Sequence, residues 1–365
     1  MLLSPFVRAP PEPIREHIAG VQRACLGFLL SFTPPRSPRR STVKFGVHLP
    51  TVRLNDPDPL AMLTEFVSES DAMGYEYLAV NDHFFNVLDP VTSLAAVAGA
   101  TKHMRFIPAG LLPIHRGLVP TAKMFVTLDL FTGGRMIAGL AAGSSNVEYT
   151  INNFDPAERW HRFDEIAVAL RSLLQPGAPA FKGKYYNTEG LDLGVMSRRP
   201  EGIPIWIAAW GSNAGLRRAA RFGDGWLSSA LQLTPESLRE TKARLNQYLV
   251  AEGKDPAIFP NGLCTWQFYV SKDQSRLDAM NARRENLFRN RPRAAGERHE
   301  LHGMGPIIGT PEQVAEVVSA LEEAGSDALY IRPLDDHLKQ VQRFMSDVVP
   351  LVRKAAAAHA NGDRP

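Results

Sequence analysis

The chain has 365 residues, of which 44% are hydrophobic and 22% are charged, and its formal net charge is +3. These values are typical of a globular protein, and so small a charge argues against a nucleic-acid partner. The sequence also lacks an apolar run of the roughly 18 residues that a transmembrane helix needs, so we expect no membrane partner.

Two cysteines, Cys25 and Cys264, are too far apart in the sequence to match a zinc motif or a disulfide framework. His299 and His302 likewise have no carboxylate or cysteine at metal-ligand spacing. We therefore expect no metal site, and a reducing, cytoplasmic location.

Residues 1–42 differ from the rest, because they contain several prolines and the basic pair Arg39-Arg40. The apolar patch Cys25–Phe32 follows a charged segment and precedes no clean cleavage site, which argues against a secretory signal. We interpret residues 1–42 as a flexible extension, or as the result of a start codon assigned too early. A folded domain is expected over residues 43–358, followed by a tail at residues 359–365.

Eight apolar segments have the composition of buried strands, and most of them precede an amphipathic helix. This alternation predicts an α/β fold, a (β/α)8 TIM barrel, rather than an open doubly wound sheet. A Rossmann fold is disfavoured further, since no glycine fingerprint follows the first strand. The predicted strands are Lys44–Leu49, Tyr77–Asn81, Arg105–Leu111, Arg135–Leu140, Ile203–Ala208, Gly225–Ser229, Cys264–Val270 and Ala328–Ile331.

Helices are predicted by apolar residues at helical spacing and by signals at their ends. Thr234-Pro235 and Thr310-Pro311 have the composition of an N-cap followed by a proline at the first helical position. Two stretches break the alternation, and we expect Gln175–Pro200 and Asn290–Gly305 to be insertion segments. The predicted helices are Leu60–Met73, Thr121–Phe131, Arg162–Leu174, Pro235–Ala251 and Pro311–Ala324.

Chemistry in a (β/α)8 barrel collects where the strands end at the C-terminal rim. Asp82 and His83 follow the second strand, and such a pair permits proton transfer because histidine titrates near neutral pH. His48 ends the first strand, where it either lines a cofactor cleft or only hydrogen-bonds a neighbour.

Loops of small residues follow the third, fourth and fifth strands, where a flat or phosphorylated ligand can approach the main chain. The fourth-strand loop contains Ser144 and Asn146, which offer hydrogen bonds. After the fifth strand, Trp210-Gly211-Ser212 leads into a helix whose free N–H groups form an anion site. Ser212 is also a plausible N-cap, and the two roles are compatible.

Three segments, Asn81–Phe85 (NDHFF), Met104–Tyr149 and Ala208–Trp226, resemble the bacterial luciferase-like oxidoreductases. These are flavin- or deazaflavin-dependent (β/α)8 barrels, and NDHFF is similar to a Ser-Asp-His-Phe segment of the deazaflavin-dependent members. The resemblance implies that His83 is the catalytic residue at the reactive edge of the cofactor and that Asp82 lies near the cofactor ring.

The same resemblance implies a cofactor site built from several strand ends. A non-prolyl cis peptide between Gly110 and Leu111 would form a bulge behind the ring, and main-chain amides after the fifth strand would bind the phosphate. The implied cofactor-binding residues are His48, Asp82, Gly110, Leu111, Ala142, Gly143, Ser144, Asn146, Trp210, Gly211 and Ser212.

One departure concerns the sugar-phosphate-dehydrogenase branch, whose members have a glutamate directly after the last glycine of the fourth-strand loop. Ser144 occupies that position here, which argues against that branch and leaves the general acid unassigned. Glu148 follows four residues later, and we expect it to lie at the surface.

The resemblance implies hydride transfer between coenzyme F-420 and a small organic substrate. The alternative is an FMN-dependent monooxygenase acting with dioxygen, and a second alternative is a non-catalytic cofactor-binding barrel. Relatives also suggest a possible homodimer. The substrate itself is not encoded in any pattern that we recognise.

Overall fold

The computed structural model describes residues 43–51, 56–85, 87–289 and 303–361. The predicted extension, residues 1–42, lies outside the described residues, as do most of the second predicted insertion and the last four residues of the predicted tail.

Parallel strands form the centre of the fold, in the hydrogen-bonded order β3-β2-β1-β9-β7-β6-β5-β4, with β8 paired to β7 beside this path. The expected (β/α)8 barrel is confirmed. The strands are β1 Lys44–His48, β2 Tyr77–Val80, β3 Arg105–Pro108, β4 Ala138–Leu140, β5 Ile205–Ala208, β6 Gly225–Ser229, β7 Asn261–Val270, β8 Ile307–Gly309 and β9 Ala328–Pro333.

The ring of eight strands is completed where β3 meets β4. Two parallel bridges, Phe106 with Met136 and Leu111 with Leu140, join these strands. A Cβ on Gly139 would lie 1.9 Å from the carbonyl oxygen of Pro108, so the close approach of β4 to β3 depends on a glycine.

Helices surround the barrel and connect its strands. Thr234 and Thr310 cap their helices with complete capping boxes, which confirms both predicted starts. The helices are α1 Pro59–Ala72, α2 Pro90–Val97, α3 Pro113–Arg116, α4 Leu118–Phe131, α5 Asn146–Ile151, α6 Arg159–Leu174, α7 Asn213–Phe222, α8 Pro235–Ala251, α9 Gln274–Arg289, α10 Pro311–Glu323, α11 His337–Arg343 and α12 Val349–Asn361. Short 3₁₀ turns occur at Ala98–Ala100 and Pro156–Glu158, and a π-helical turn at Phe344–Val348.

Apolar side chains fill the barrel interior and the layer between strands and helices. The interior cluster includes Tyr77, Trp206, Leu227 and Tyr330, all nearly inaccessible to solvent. A filled interior leaves the C-terminal ends of the strands as the place for a ligand.

The differences from the sequence prediction lie mainly at the ends of strands. The third strand ends at Pro108 rather than Leu111, and β7 begins at Asn261, three residues before the predicted start. The short strand β8 was not predicted. The predicted insertion after α6 is confirmed as an irregular segment with one antiparallel bridge, between Lys182 and Asn187. Among the described residues, no helix is both long and apolar enough to span a bilayer.

Candidate active site

A cavity of about 750 Å³ opens at the C-terminal ends of the strands, a volume within the range of small-molecule sites. Residues that follow β2, β3, β4, β5 and β6 line it, together with residues at the end of β9. The predicted site residues that reach this cavity are Asp82, His83, Gly110, Ala142, Gly143, Ser144, Trp210 and Ser212.

Four other predicted cofactor residues are absent from the cavity wall. Leu111 is fully buried in the sheet, Asn146 accepts a hydrogen bond from Arg159, and the Gly211 carbonyl accepts one from Arg244. His48 is buried at the end of β1, where burial and the nearby charge of Arg332 lower its pKa to about 3. Its imidazole is therefore neutral at physiological pH.

The non-prolyl cis peptide joins Ala109 to Gly110, one residue before the predicted position. The predicted Gly110–Leu111 position is wrong because Leu111 is already held in the sheet. Its N–H donates to the carbonyl of Gly139 at 2.8 Å, which fixes it beside β4. The irregular backbone is therefore confined to the residues between Pro108 and Leu111.

Asp82 links the loop after β2 to the segment after β3 through hydrogen bonds and an ion pair. Its carboxylate is fully buried and accepts two hydrogen bonds from Arg116, at 2.8 and 3.1 Å, and one from the N–H of Leu112 at 2.9 Å. Arg116 also pairs with Asp89 at 2.7 Å. Burial opposes the charge of Arg116, but the two carboxylates outweigh it and raise its pKa. The oxygens of Asp82 are thus engaged by the protein itself.

His83 lies at the cavity with 53% of its side chain exposed, and its Nδ1 is 3.4 Å from Oε1 of Glu148. The hydrogen bond to Glu148 raises the pKa of His83 more than burial lowers it. Burial raises the pKa of Glu148, but hydrogen bonds from His83 and the Phe84 N–H outweigh it, and the net shift is downward. The carboxylate therefore stabilises the His83 imidazolium whenever the ring takes up a proton.

The expected surface position of Glu148 is wrong, since only 2% of the residue is exposed. Ser145 caps α5 by accepting a hydrogen bond from the Glu148 N–H. The helix therefore starts directly after the fourth-strand loop, and its first turn directs Glu148 toward the loop after β2. The second oxygen of Glu148, Oε2, is buried and has no hydrogen-bond partner among the described residues.

His115 lies behind this pair and was not identified from the sequence. Its ring makes edge-to-face contacts with Phe84, Tyr149 and Phe154, and the centroid distance to Tyr149 is 4.5 Å. Neither ring nitrogen has a hydrogen-bond partner among the described residues, and burial lowers the pKa of His115. The neutral imidazole of His115 therefore packs among three aromatic rings next to the site.

The opposite side of the cavity is built from the start of α7. Ser212 caps this helix, and its hydroxyl accepts a hydrogen bond from the Gly215 N–H at 3.2 Å. Gly211 has a φ of +96°, a conformation that glycine adopts readily. The cap satisfies one of the N–H groups that lack an intrahelical acceptor, and a helix start of this kind favours an anion.

A planar heterocycle fits the space between these two sides. Small residues, including Gly110, Ala142 and Ala209, keep the wall close to the main chain. Two polar atoms in the same wall, Oδ1 of Asn81 and Nε2 of Gln232, are buried and have no protein partner among the described residues.

Comparison with known proteins gives consistent matches over most of the chain. The family model described as luciferase-like monooxygenase matches residues 42–328. An F420-dependent hydroxymycolic acid dehydrogenase of Mycobacterium tuberculosis is 27% identical, covering 80% of this chain and 84% of that protein. The pyrimidine monooxygenase RutA of Caulobacter vibrioides is 26% identical, covering 73% and 80%.

Solved structures match the fold as well. An F420-dependent secondary alcohol dehydrogenase, in complex with an F420-acetone adduct, superimposes with a TM-score of 0.71 at 19% identity. The match covers 86% of this chain and all of that one.

Proposed function

The chain belongs to the luciferase-like monooxygenase family, and from this premise we propose that it transfers hydride between coenzyme F-420 and a small organic substrate. The observation that carries the proposal is the His83–Glu148 pair at the edge of a cavity suited to a planar ring. Relatives that use F-420 support it.

When bound, the deazaflavin supplies the hydride chemistry, so the protein has only to orient the reactants and move a proton. Nδ1 of His83 is engaged with Glu148, which leaves Nε2 to take the hydroxyl proton of an alcohol or to return it to a carbonyl. The buried carboxylate of Glu148 stabilises the imidazolium that results, so His83 is the catalytic residue and Glu148 positions it.

The other predicted site residues have supporting roles in this proposal. Main-chain N–H groups at Ser212 and in the first turn of α7, next to Trp210 in the cavity wall, hold the cofactor phosphate, with the positive end of α7 behind them. Asp82 fixes the backbone that carries His83, through its bonds to Arg116 and to the Leu112 N–H. Gly110 provides the surface behind the ring.

An FMN-dependent monooxygenase is the second candidate, favoured by the similarity to RutA. Dioxygen chemistry on a flavin needs a site that excludes water. The side chain of His83 is 53% exposed, so the described cavity is open at the proposed reaction centre. This openness favours hydride transfer.

We further propose that residues 43–358 fold as the catalytic domain, with residues 1–42 as an extension and residues 359–365 as a tail. We also propose a cytoplasmic location, since two cysteines so far apart in the sequence do not match a disulfide framework. A homodimer is proposed from the family resemblance alone.

Titration of the purified chain with F-420 and with FMN tests the proposal. Binding would be followed by tryptophan fluorescence, because Trp210 lines the cavity, and by equilibrium dialysis of the coenzyme as an independent readout. We expect saturable binding of F-420 and much weaker binding of FMN. In W210F the fluorescence response should shrink while dialysis still detects F-420.

Preferential binding of FMN would shift the assignment to the monooxygenase alternative. Failure to bind either coenzyme would contradict a redox function and favour the non-catalytic barrel.

A further inference from the structure

Arg332 is a partly buried cation in the wall of the same cavity. It is the penultimate residue of β9 and pairs in register with Gln267 of β7, which also lines the cavity. Burial lowers the pKa of its guanidinium, yet an arginine keeps its charge in proteins. The residue therefore places a fixed positive charge in the wall of the cavity.

This charge has no carboxylate partner among the described residues, unlike the charge of Arg218 in the same wall. Arg218 pairs with Asp164 at 2.5 Å and stacks over Trp160. Instead, the charge of Arg332 adds to burial in lowering the pKa of His48 and of His337, and it is a minor opposing contribution to the raised pKa of His83. A partly buried charge without a counter-ion is unfavourable, so the arrangement suits a ligand that carries the negative charge.

The position of Arg332 on the rim separates it from the proposed phosphate site. In the closed ring, β9 lies between β1 and β7, whereas the Trp210–Ser212 segment follows β5, three strands away. His83 follows β2, only two strands from β9 in the other direction. An anion beside Arg332 therefore lies on the His83 side of the cavity, where the substrate is expected.

We propose that Arg332 determines substrate specificity by binding a carboxylate group of the substrate. This inference rests on the proposed function and adds the substrate class, a small carboxylic acid. The planar guanidinium matches a carboxylate with two parallel hydrogen bonds.

A carboxylate fits better than a phosphate because Arg332 is the one arginine that the described cavity wall has on this side of the ring. Arg159, the other cavity arginine without a carboxylate partner in the described part of the chain, donates to Asn146 and lies over the Tyr149 ring. It follows β4, on the opposite side of the ring from β9. A phosphate dianion beside Arg332 would thus lack a second counter-charge.

The test uses acetate and benzoate, each paired with its neutral amide, acetamide or benzamide. Affinities would be measured by calorimetry on the full chain with and without F-420, in wild type, R332Q and R332K. R221Q is the control, because Arg221 is an exposed arginine on α7 whose loss changes the net charge equally. Thermal melting checks that each variant is folded.

We expect wild type to prefer at least one acid over its amide, and R332Q to lose that preference. The acid should bind roughly 30-fold or more weakly in R332Q, as for removal of one partner of a buried charge pair. R332K should retain part of the preference, and R221Q all of it. Amide binding and F-420 affinity should not change in any variant.

Equal binding of acid and amide by wild type in both pairs would overturn the inference, as would unchanged acid binding in R332Q. Loss of F-420 affinity in R332Q with unchanged acid binding would assign Arg332 to the coenzyme instead. Failure of wild type to bind F-420 would contradict the proposed function only, since the acid preference is also measured without coenzyme. If R332Q does not fold, R332K is used in its place. An acid preference in R332K equal to that of wild type would contradict the proposed role of the guanidinium group.

Discussion

The rim after β2, β3 and β4 is held together by charged side chains, whereas the rim after β5 depends on main-chain N–H groups at the start of α7. On the first side, Asp82 pairs with Arg116, and His83 with Glu148. On the second side, Ser212 contributes one capping hydrogen bond to a helix end that exists without it. Substitutions should therefore have large effects on the first side and small effects on the second.

The largest effect on stability is expected for R116M, because it leaves the fully buried carboxylate of Asp82 with only the Leu112 N–H as partner. We expect the free energy of unfolding to fall by about 3 kcal/mol, as for other broken buried ion pairs. Urea unfolding at neutral pH measures this loss. The double variant D82N/R116M should recover part of it, because the one carboxylate that still loses Arg116, Asp89, is partly exposed.

R162M is the matched control, since Arg162 forms a partly exposed pair with Glu158 one turn away on the helix surface. It should lose much less stability than R116M. Equal losses in the two variants would mean that the Asp82–Arg116 pair does not brace the rim.

The next effect is on the pH dependence of E148Q. Glu148 raises the pKa of His83 from its ordinary value of 6.5, and His83 lowers the pKa of Glu148 from 4.5. The His83 contribution to stability is complete below pH 6.5 and is lost as pH rises through the raised pKa. The Glu148 contribution is complete above pH 4.5 and is lost as pH falls. The pair thus stabilises the fold most between these values.

Proton NMR of the histidine rings should show a lower pKa for His83 in E148Q than in wild type. The stability deficit of E148Q should be greatest between about pH 4.5 and 6.5 and should shrink on either side. E158Q serves as control and should leave the His83 titration unchanged. An unaltered His83 pKa in E148Q would show that the pair is not formed in solution.

The smallest effect is expected for S212A. Removing the N-cap hydroxyl should cost about 1 kcal/mol of stability, and F-420 affinity should fall only a few-fold because the main-chain N–H groups remain. T234A removes an equivalent cap from α8, whose Thr234 is not part of the cavity wall. It should lose similar stability with no change in F-420 affinity. Complete loss of F-420 binding in S212A would mean that the hydroxyl, not the main chain, holds the phosphate.

These two sides of the rim also differ in how far the sequence predicted them. Ser212 and the start of α7 were predictable because a cap, its helix and its loop are adjacent in the chain. The same holds for Thr234 and Thr310, whose caps were identified correctly. Strand β8 was missed because three residues are too short to show a strand pattern, and its pairing with β7 is a tertiary contact.

On the side of the rim after β2, β3 and β4, the sequence predicted some of the charged residues but not their partners. Asp82 and His83 follow a strand directly, so the barrel rule places them at the rim. Arg116 lies 34 positions after Asp82, and Glu148 lies 64 positions after Phe84, from whose N–H it accepts a hydrogen bond. Both partners are on helices, and the sequence pattern does not fix how these helices are rotated. Arg332 was overlooked for a related reason, since an arginine at a strand end has no evident partner until the strand order is known.

The catalytic role of His83 is tested most directly by comparing H83A with wild type in two assays, F-420 affinity and the rate at which bound F-420 reacts with small hydroxy acids and their oxo forms. We expect H83A to keep its F-420 affinity and to react at a rate lowered by roughly 10²- to 10⁴-fold, the usual contribution of a proton-transferring side chain. An unchanged rate in H83A, with wild type active, would contradict the role of His83 in catalysis.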